Sequence, residues 1–319
     1  MEAGELSGRA VVTTPRRSLQ SSRPRYGERA IELLLALCAV ISVCVTAAIV
    51  IALLGPAIGF FREVSVISFL FGTEWAPTFE PPAFGVLPIV VGTLSVTLWA
   101  MVFAVPIGLG TAIYLSEYAP TRVRKTVKPA LEVLAGIPTV ALGFFALTFI
   151  TPVLQDVWPA FLGDRPGIFN AGAAGLAIGL LIVPIIASIS DDAMTAVPAG
   201  LREGAYALGA TKMKVALRVV FPAALSGIAA SIVLGISRAV GETMIVVLAA
   251  GATPNLTFSP VESIQAMTAF IATTATGDIA TGTITYDTIF AVGALLFVMT
   301  LIMNLVSIRL VRRFRQVYE

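Results

Sequence analysis

Arg238 and Glu242 stand one helical turn apart in the stretch ISRAVGETMIV, Ile236–Val246, inside a run that is otherwise apolar. An arginine near the middle of a hydrocarbon span costs roughly 2.5–3.5 kcal/mol on insertion scales, so it should face protein or water. Its guanidinium fork matches the oxygens of a phosphate. A carboxylate four residues later can orient that fork and hold it when no anion is present. It can also keep an anion from binding too tightly to leave. The chemistry offered is therefore an anion pathway, with Ser237 and Thr243 as hydroxyl donors beside it. A plainer reading is an ion pair that only neutralises itself. Arginine before glutamate is the weaker order for such a pair, and exposed pairs contribute only about 0.3–0.5 kcal/mol. That does not offset the cost of insertion, so a functional reason is favoured.

Other chemistries are excluded. The chain has no histidine, which removes imidazole acid–base catalysis and His-ligated metals. Cys38 and Cys44 lie six residues apart in one apolar run, face different ways on a helix, and read as small apolar fillers. No phosphate-loop motif is present, so this chain does not hydrolyse nucleotide alone. No soluble catalytic domain is visible, and an enzyme is not expected.

The elements that must hold Arg238 and Glu242 belong to an all-α polytopic membrane protein. Of 319 residues 57% are hydrophobic and only 13% charged, where a soluble domain carries about 25%. Six runs reach the roughly 20 residues that cross a bilayer as a helix: Leu33–Ile58, Phe84–Ser116, Val133–Gln155, Pro166–Ser190, Pro222–Gly251 and Thr288–Ile308. The fifth is expected to be one helix over about Ala223–Ala250. In it Gly227, Ser231, Gly235, Gly241 and Glu242 share the face of Arg238, a small polar stripe suited to a bundle interface or a solute path. Glycine and proline inside the spans (Pro106, Gly108, Gly110, Gly136, Pro138, Gly143, Gly175, Gly179, Pro184) read as close helix packing or as places where helices bend.

Lys and Arg fix the expected orientation. Eighteen of the 21 fall in the N-terminal tail, the connections around Arg122–Lys128 and Arg202–Arg218, and the C-terminal tail; only Arg62 and Arg165 fall on the other side. Both termini are therefore expected in the cytoplasm of a cell-membrane protein. The expected organisation is a basic disordered tail (1–30), a first transmembrane anchor (31–58) and an extracytoplasmic loop (59–85). A five-helix core (86–311) follows, with a cytoplasmic loop at 197–222, and then a short tail (312–319). The outer connection from Gly59 to about Pro82 reads as an exposed loop, and those near Val157–Gly167 and Thr253–Asp287 read as modest in size.

The cytoplasmic loop carries the most specific pattern. Pro198–Ala207 reads as a short helix ended by Gly209, after which a second helix runs from about Thr211 into the fifth span. Glu203, Gly204, Ala205, Gly209, Val219, Phe221 and Pro222 follow the order E-[AG]-A-x3-G-x9-[IV]-x-[LF]-P. This resembles the "EAA" loop of permease subunits in ATP-binding-cassette importers. Further blocks, FFREVS, GTEW, FGVLPIVVGTL, AVPIGLGTAIYLSEYAP, LEVLAGIPTV and SRAVGETM, are similar to the phosphate-specific, PstC-type branch of that family. The family usually has Ala where Gly204 stands and Leu where Phe221 stands.

The resemblance implies a type I importer permease fold with six transmembrane helices. It implies that the loop is a coupling helix docked on a separate ATPase, and that Arg238 and Glu242 lie on the phosphate pathway. The implied partners are a second, PstA-like permease subunit, a PstB-like ATPase dimer carrying ATP and Mg²⁺, and an extracytoplasmic PstS-like phosphate-binding protein, with lipid around the subunit and no nucleic acid. No cofactor is expected on this chain. A permease for sulfate or molybdate and an ATP-independent anion transporter remain open alternatives.

Overall fold

The computed structural model describes residues 26–314. They divide into two units at Ile49. The first is the start of helix α1 (Tyr26–Glu63), whose side chains from Tyr26 to Ile49 are exposed throughout, Cys38 and Cys44 included. α1 begins inside the stretch whose composition reads as a tail: no proline interrupts Tyr26–Ala30, and Glu28 favours its positive end. The rest of that tail, and residues 315–319, lie outside the described residues.

The second unit is almost wholly helical. α2 (Val66–Phe71) follows α1, then a two-stranded antiparallel hairpin of β1 (Trp75–Ala76) and β2 (Ala83–Phe84), with Trp75 opposite Phe84. Next come α3 (Leu87–Ile113), α4 (Thr121–Ala135), α5 (Thr139–Phe145), α6 (Thr151–Val157) and α7 (Ala171–Thr195). α8 (Ala199–Ala207), α9 (Lys212–Val215), α10 (Phe221–Ala223) and α11 (Leu225–Val240) lead to α12 (Met244–Ala249), α13 (Met267–Ala275) and α14 (Ile284–Phe314). Wider π-turns follow α3 and α9 and join α5 to α6. Among the described residues, five helical stretches are long and apolar enough to cross a membrane, α1 included, and a sixth if a bent pair counts as one.

α7 lies at the centre and packs on α3 at very short range. A Cβ on Gly175 would stand 2.6 Å from the Trp99 Cβ, and one on Gly179 would stand 2.7 Å from the Phe103 ring. Gly108 and Gly143 are equally close-fitted, against Ile186 and Leu248. These glycines serve packing, the first of their two readings.

Four expectations are corrected. The third span starts at Thr139, not Val133, because Gly136 and Pro138 end the preceding helix; Val133–Ala135 are the last turn of α4. The outer segment 59–85 is no loose loop. Phe60, Phe69 and Trp75 are buried in it, their rings edge to face with Phe61, Phe84 and Phe270, so aromatic packing outweighs its prolines and acids. The connection 253–287 carries α13, and Ile264, Ala266 and Met267 in it are fully buried. The C-terminal segment continues α14 to Phe314.

The fifth span is a further correction, and it bears on function. It is not one helix. The chain bends by 72° at Ala224, just after Pro222, which cannot donate to the helical ladder. It breaks again at Gly241–Thr243, between α11 and α12.

Candidate functional site

The second break falls between the two charges of the opening motif. Arg238 lies in the last turn of α11, and Glu242 stands two residues before α12. A cation suits the negative end of one half-helix and an anion the positive end of the next. The Arg238 Nη1 is 3.5 Å from the Glu242 Oε2. Their environments differ sharply: the Arg238 side chain is 44% exposed and that of Glu242 only 3%. Two further bonds pin Glu242. Its Oε1 accepts from the Ile245 amide at 3.4 Å, and its carbonyl accepts from the Thr268 hydroxyl of α13 at 2.7 Å. The result is a fixed carboxylate beside a guanidinium that is half open.

The other residues of the motif turn elsewhere. The Ser237 hydroxyl donates to the Asn304 amide oxygen of α14 at 3.3 Å. Thr243 is half-buried, and its hydroxyl donates to the Gly241 carbonyl at 3.4 Å. The stripe behind Arg238 is a helix interface rather than a path. Ser231 hydrogen-bonds Ser190 of α7 at 2.9 Å, and a Cβ on Gly235 would meet Ile182 of α7.

The cytoplasmic loop forms a second constellation. α8 ends in a paired turn: the Gly209 amide donates to the Tyr206 carbonyl at 2.9 Å and the Ala210 amide to the Ala205 carbonyl at 3.1 Å. Gly209 has φ +77°, the left-handed conformation that closes this turn. Thr211 caps the next helix by accepting from the Lys214 amide at 3.4 Å. Glu203 and Gly204 are exposed, Ala205 is half-buried, and Pro222 is exposed just ahead of the 72° bend. Leu201, Tyr206, Leu208 and Met213 stand exposed on the same loop, Leu208 at 91%. Apolar surface of this kind on a polar segment is available for contact with protein or membrane.

Comparison with known proteins settles the family. A family profile described as "Binding-protein-dependent transport system inner membrane component" matches residues 104–316. The chain belongs to that family. This permease is 34% identical to the "Probable ABC transporter permease protein YqgH" of Bacillus subtilis (strain 168), over 92% of each chain. It is also 34% identical to the "Phosphate transport system permease protein PstC" of Haemophilus influenzae, over 93% of this chain and 98% of the other. Its fold matches a chain of a bacterial alginate ABC transporter with TM-score 0.61 at 17% identity, over 89% of this chain and 96% of that one. It also matches a chain of the MetNI methionine ABC transporter with TM-score 0.52 at 22% identity, over 70% and 94%. It is a multi-pass permease component of an ABC importer, with the type I importer fold and no enzymatic role of its own.

Three groups in this permease escape sequence reasoning. Thr268 belongs to a Thr-rich segment that gives no signal, and it reaches Glu242 only through the fold. Asn304 is the one amide in an apolar span, a signal that was there to be read. The cations used to set topology are also structural. Arg124 and Lys128 of α4 pair with Asp191, which is fully buried near the end of α7, and Lys128 also pairs with Asp192. Arg202 of α8 is bonded to Glu117 and to two carbonyls at the end of α7.

Proposed function

We propose that this permease lines the phosphate pathway of an ATP-driven importer, with Arg238 meeting the anion and Glu242 orienting it. The observation that carries this reading is the broken fifth span. Two half-helices end at a half-exposed guanidinium held by a buried carboxylate. Discontinuous membrane helices with ionisable residues at the break are a recurring way to build a solute site. Likeness over most of the chain to relatives described as phosphate permeases supports the choice of anion. Partners complete the machine: a second permease to cover the open side of Arg238, an ATPase dimer holding ATP and Mg²⁺ against α8, and an extracytoplasmic binding protein. Thr243 and Ser237 are the weaker candidates, since their hydroxyls are engaged by the Gly241 carbonyl and by Asn304. The deciding experiment is uptake of labelled phosphate by the complete transporter in proteoliposomes, with sulfate and molybdate as competitors. Uptake that either competitor abolishes at equal concentration would assign a different oxyanion.

Orientation is testable on the same preparation. Cys38 and Cys44 are exposed and would first be replaced by alanine. A cysteine at Leu256, which is 49% exposed, should then react with an impermeant thiol reagent added to intact cells, and one at the exposed Lys125 should not. The reverse labelling would overturn the reading that both ends are cytoplasmic.

The docking loop yields a third expected result. Gly209→Val meets no steric obstacle, since a Cβ there has nothing within 4 Å. Its penalty is conformational, about 1–3 kcal/mol for a β-branched residue at positive φ. The permease should insert normally and lose its ATPase on purification, or cease to couple hydrolysis to uptake. Full phosphate uptake by the variant would show that the turn does not carry docking.

A further inference from the structure

We propose that Arg202 is the positioning residue that ties the docking helix α8 to the transmembrane core. This rests on the reading of α8 as the element that receives the ATPase. α8 buries none of its own residues, so packing alone holds it weakly. Arg202 supplies the specific ties. Its Nε and Nη2 donate to the Glu117 Oε1 at 3.2 and 3.0 Å. Its Nη1 donates to the Val197 carbonyl at 2.6 Å, and Nη2 to the Met194 carbonyl at 2.8 Å. Glu117 lies in the π-turn that ends α3, with its side chain only 5% exposed. Met194 and Val197 flank the end of α7, whose negative dipole end attracts a cation.

One guanidinium therefore joins three elements: α8, the end of α3 and the end of α7. α3 and α7 are locked to each other through Gly175 and Gly179, so a pull on their ends moves them together. The adjacent Glu203 is exposed, as are Leu201 and Tyr206. α8 thus offers one side for docking and commits one inward residue to the core. A planar fork is needed to reach a carboxylate and two carbonyls at once; an ammonium is a single point and cannot bridge the same three positions. Glu117 belongs to the block YLSEYAP, whose carboxylate has no part in the anion site. Holding Arg202 gives it a role.

The test uses the complete transporter in proteoliposomes, reading phosphate moved per ATP hydrolysed and the amount of ATPase that co-purifies. Arg202→Ala should retain the ATPase and lower phosphate moved per ATP about tenfold, within the range by which coupled sites commonly influence each other. Arg202→Lys should fall between that variant and the parent. Glu117→Ala should lower the ratio too, and the double variant should be no worse than Arg202→Ala alone, because both strike one clamp. A parental ratio in Arg202→Ala would overturn the proposal. If Arg202→Ala fails to assemble, Glu117→Ala and Arg202→Lys decide in its place, and a parental ratio in both overturns it. If the parent itself retains no ATPase, the docking role of α8 fails instead, which is a separate result.

Discussion

Arg238→Gln should reduce phosphate uptake by at least about 30-fold while the protein stays abundant in the membrane. The number follows from losing charge-assisted hydrogen bonds to the anion, worth about 2 kcal/mol together. Abundance should hold because the Arg238 side chain is 44% exposed, so its removal opens no core cavity. Glu242 loses its cation, yet it keeps the Ile245 amide and its place under Thr268. The cost should therefore stay below the roughly 3–5 kcal/mol of breaking a fully buried pair. Arg238→Lys should be partly active at best, since one ammonium cannot reproduce a bidentate contact.

The double variant Arg238→Gln with Glu242→Gln separates function from structure. If the two charges only complement the ends of α11 and α12, neutralising both removes an ion pair that is costly to bury and should leave transport intact. If Arg238 meets the anion, the double variant assembles and still fails to move phosphate. Uptake near the parental level, measured against protein abundance in the same vesicles, would overturn the assignment of Arg238 to the pathway.

Sequence and structure part company for physical reasons that differ from place to place. α7 was legible because its apolar run is long enough to carry Pro184 without a break, and Asn170 caps it in the ordinary way, accepting from the Ala173 amide at 2.7 Å. Gly209 was legible because a left-handed turn is a local demand that few residues meet. The break at Gly241–Thr243 was not. Leu225 to Ala250 scans as one apolar helix, and the groups that stabilise the interruption come from elsewhere: Thr268 is 26 residues away from the Glu242 carbonyl it bonds. The Arg238 stripe carried the right spacing and an open meaning. Only the fold shows that Ser231 and Gly235 face α7 while the guanidinium stays half open. Arg202 was hidden for another reason. A cation in a cytoplasmic loop is already explained by orientation, so nothing prompts a search for its partner.

Gly175→Leu should prevent the subunit from reaching a stable fold. A Cβ there would stand 2.6 Å from the Trp99 Cβ, 3.1 Å from the Ala100 nitrogen and 3.2 Å from the Trp99 carbonyl carbon. Two of those three atoms are backbone, so no rotamer change relieves the clash; α3 itself must move. Overpacking costs about 1–3 kcal/mol where side chains can shift. Here the obstacle is the α3 main chain, and the cost should pass the top of that range. Adding a side chain should be harmless at an open position of α3. Gly110 has nothing within 4 Å of its would-be Cβ, and Gly110→Ala trades a flexible residue for a better helix former, a gain of about 0.5–1 kcal/mol. Thermal unfolding of the purified subunit in detergent, followed by the size-exclusion peak that survives heating, reads both. Gly175→Leu should give little or no monodisperse protein, and Gly110→Ala should match or exceed the parental midpoint. A parental midpoint for Gly175→Leu would mean that α3 and α7 are not in backbone contact. The pull that Arg202 exerts on the ends of α3 and α7 would then have no rigid pair to move.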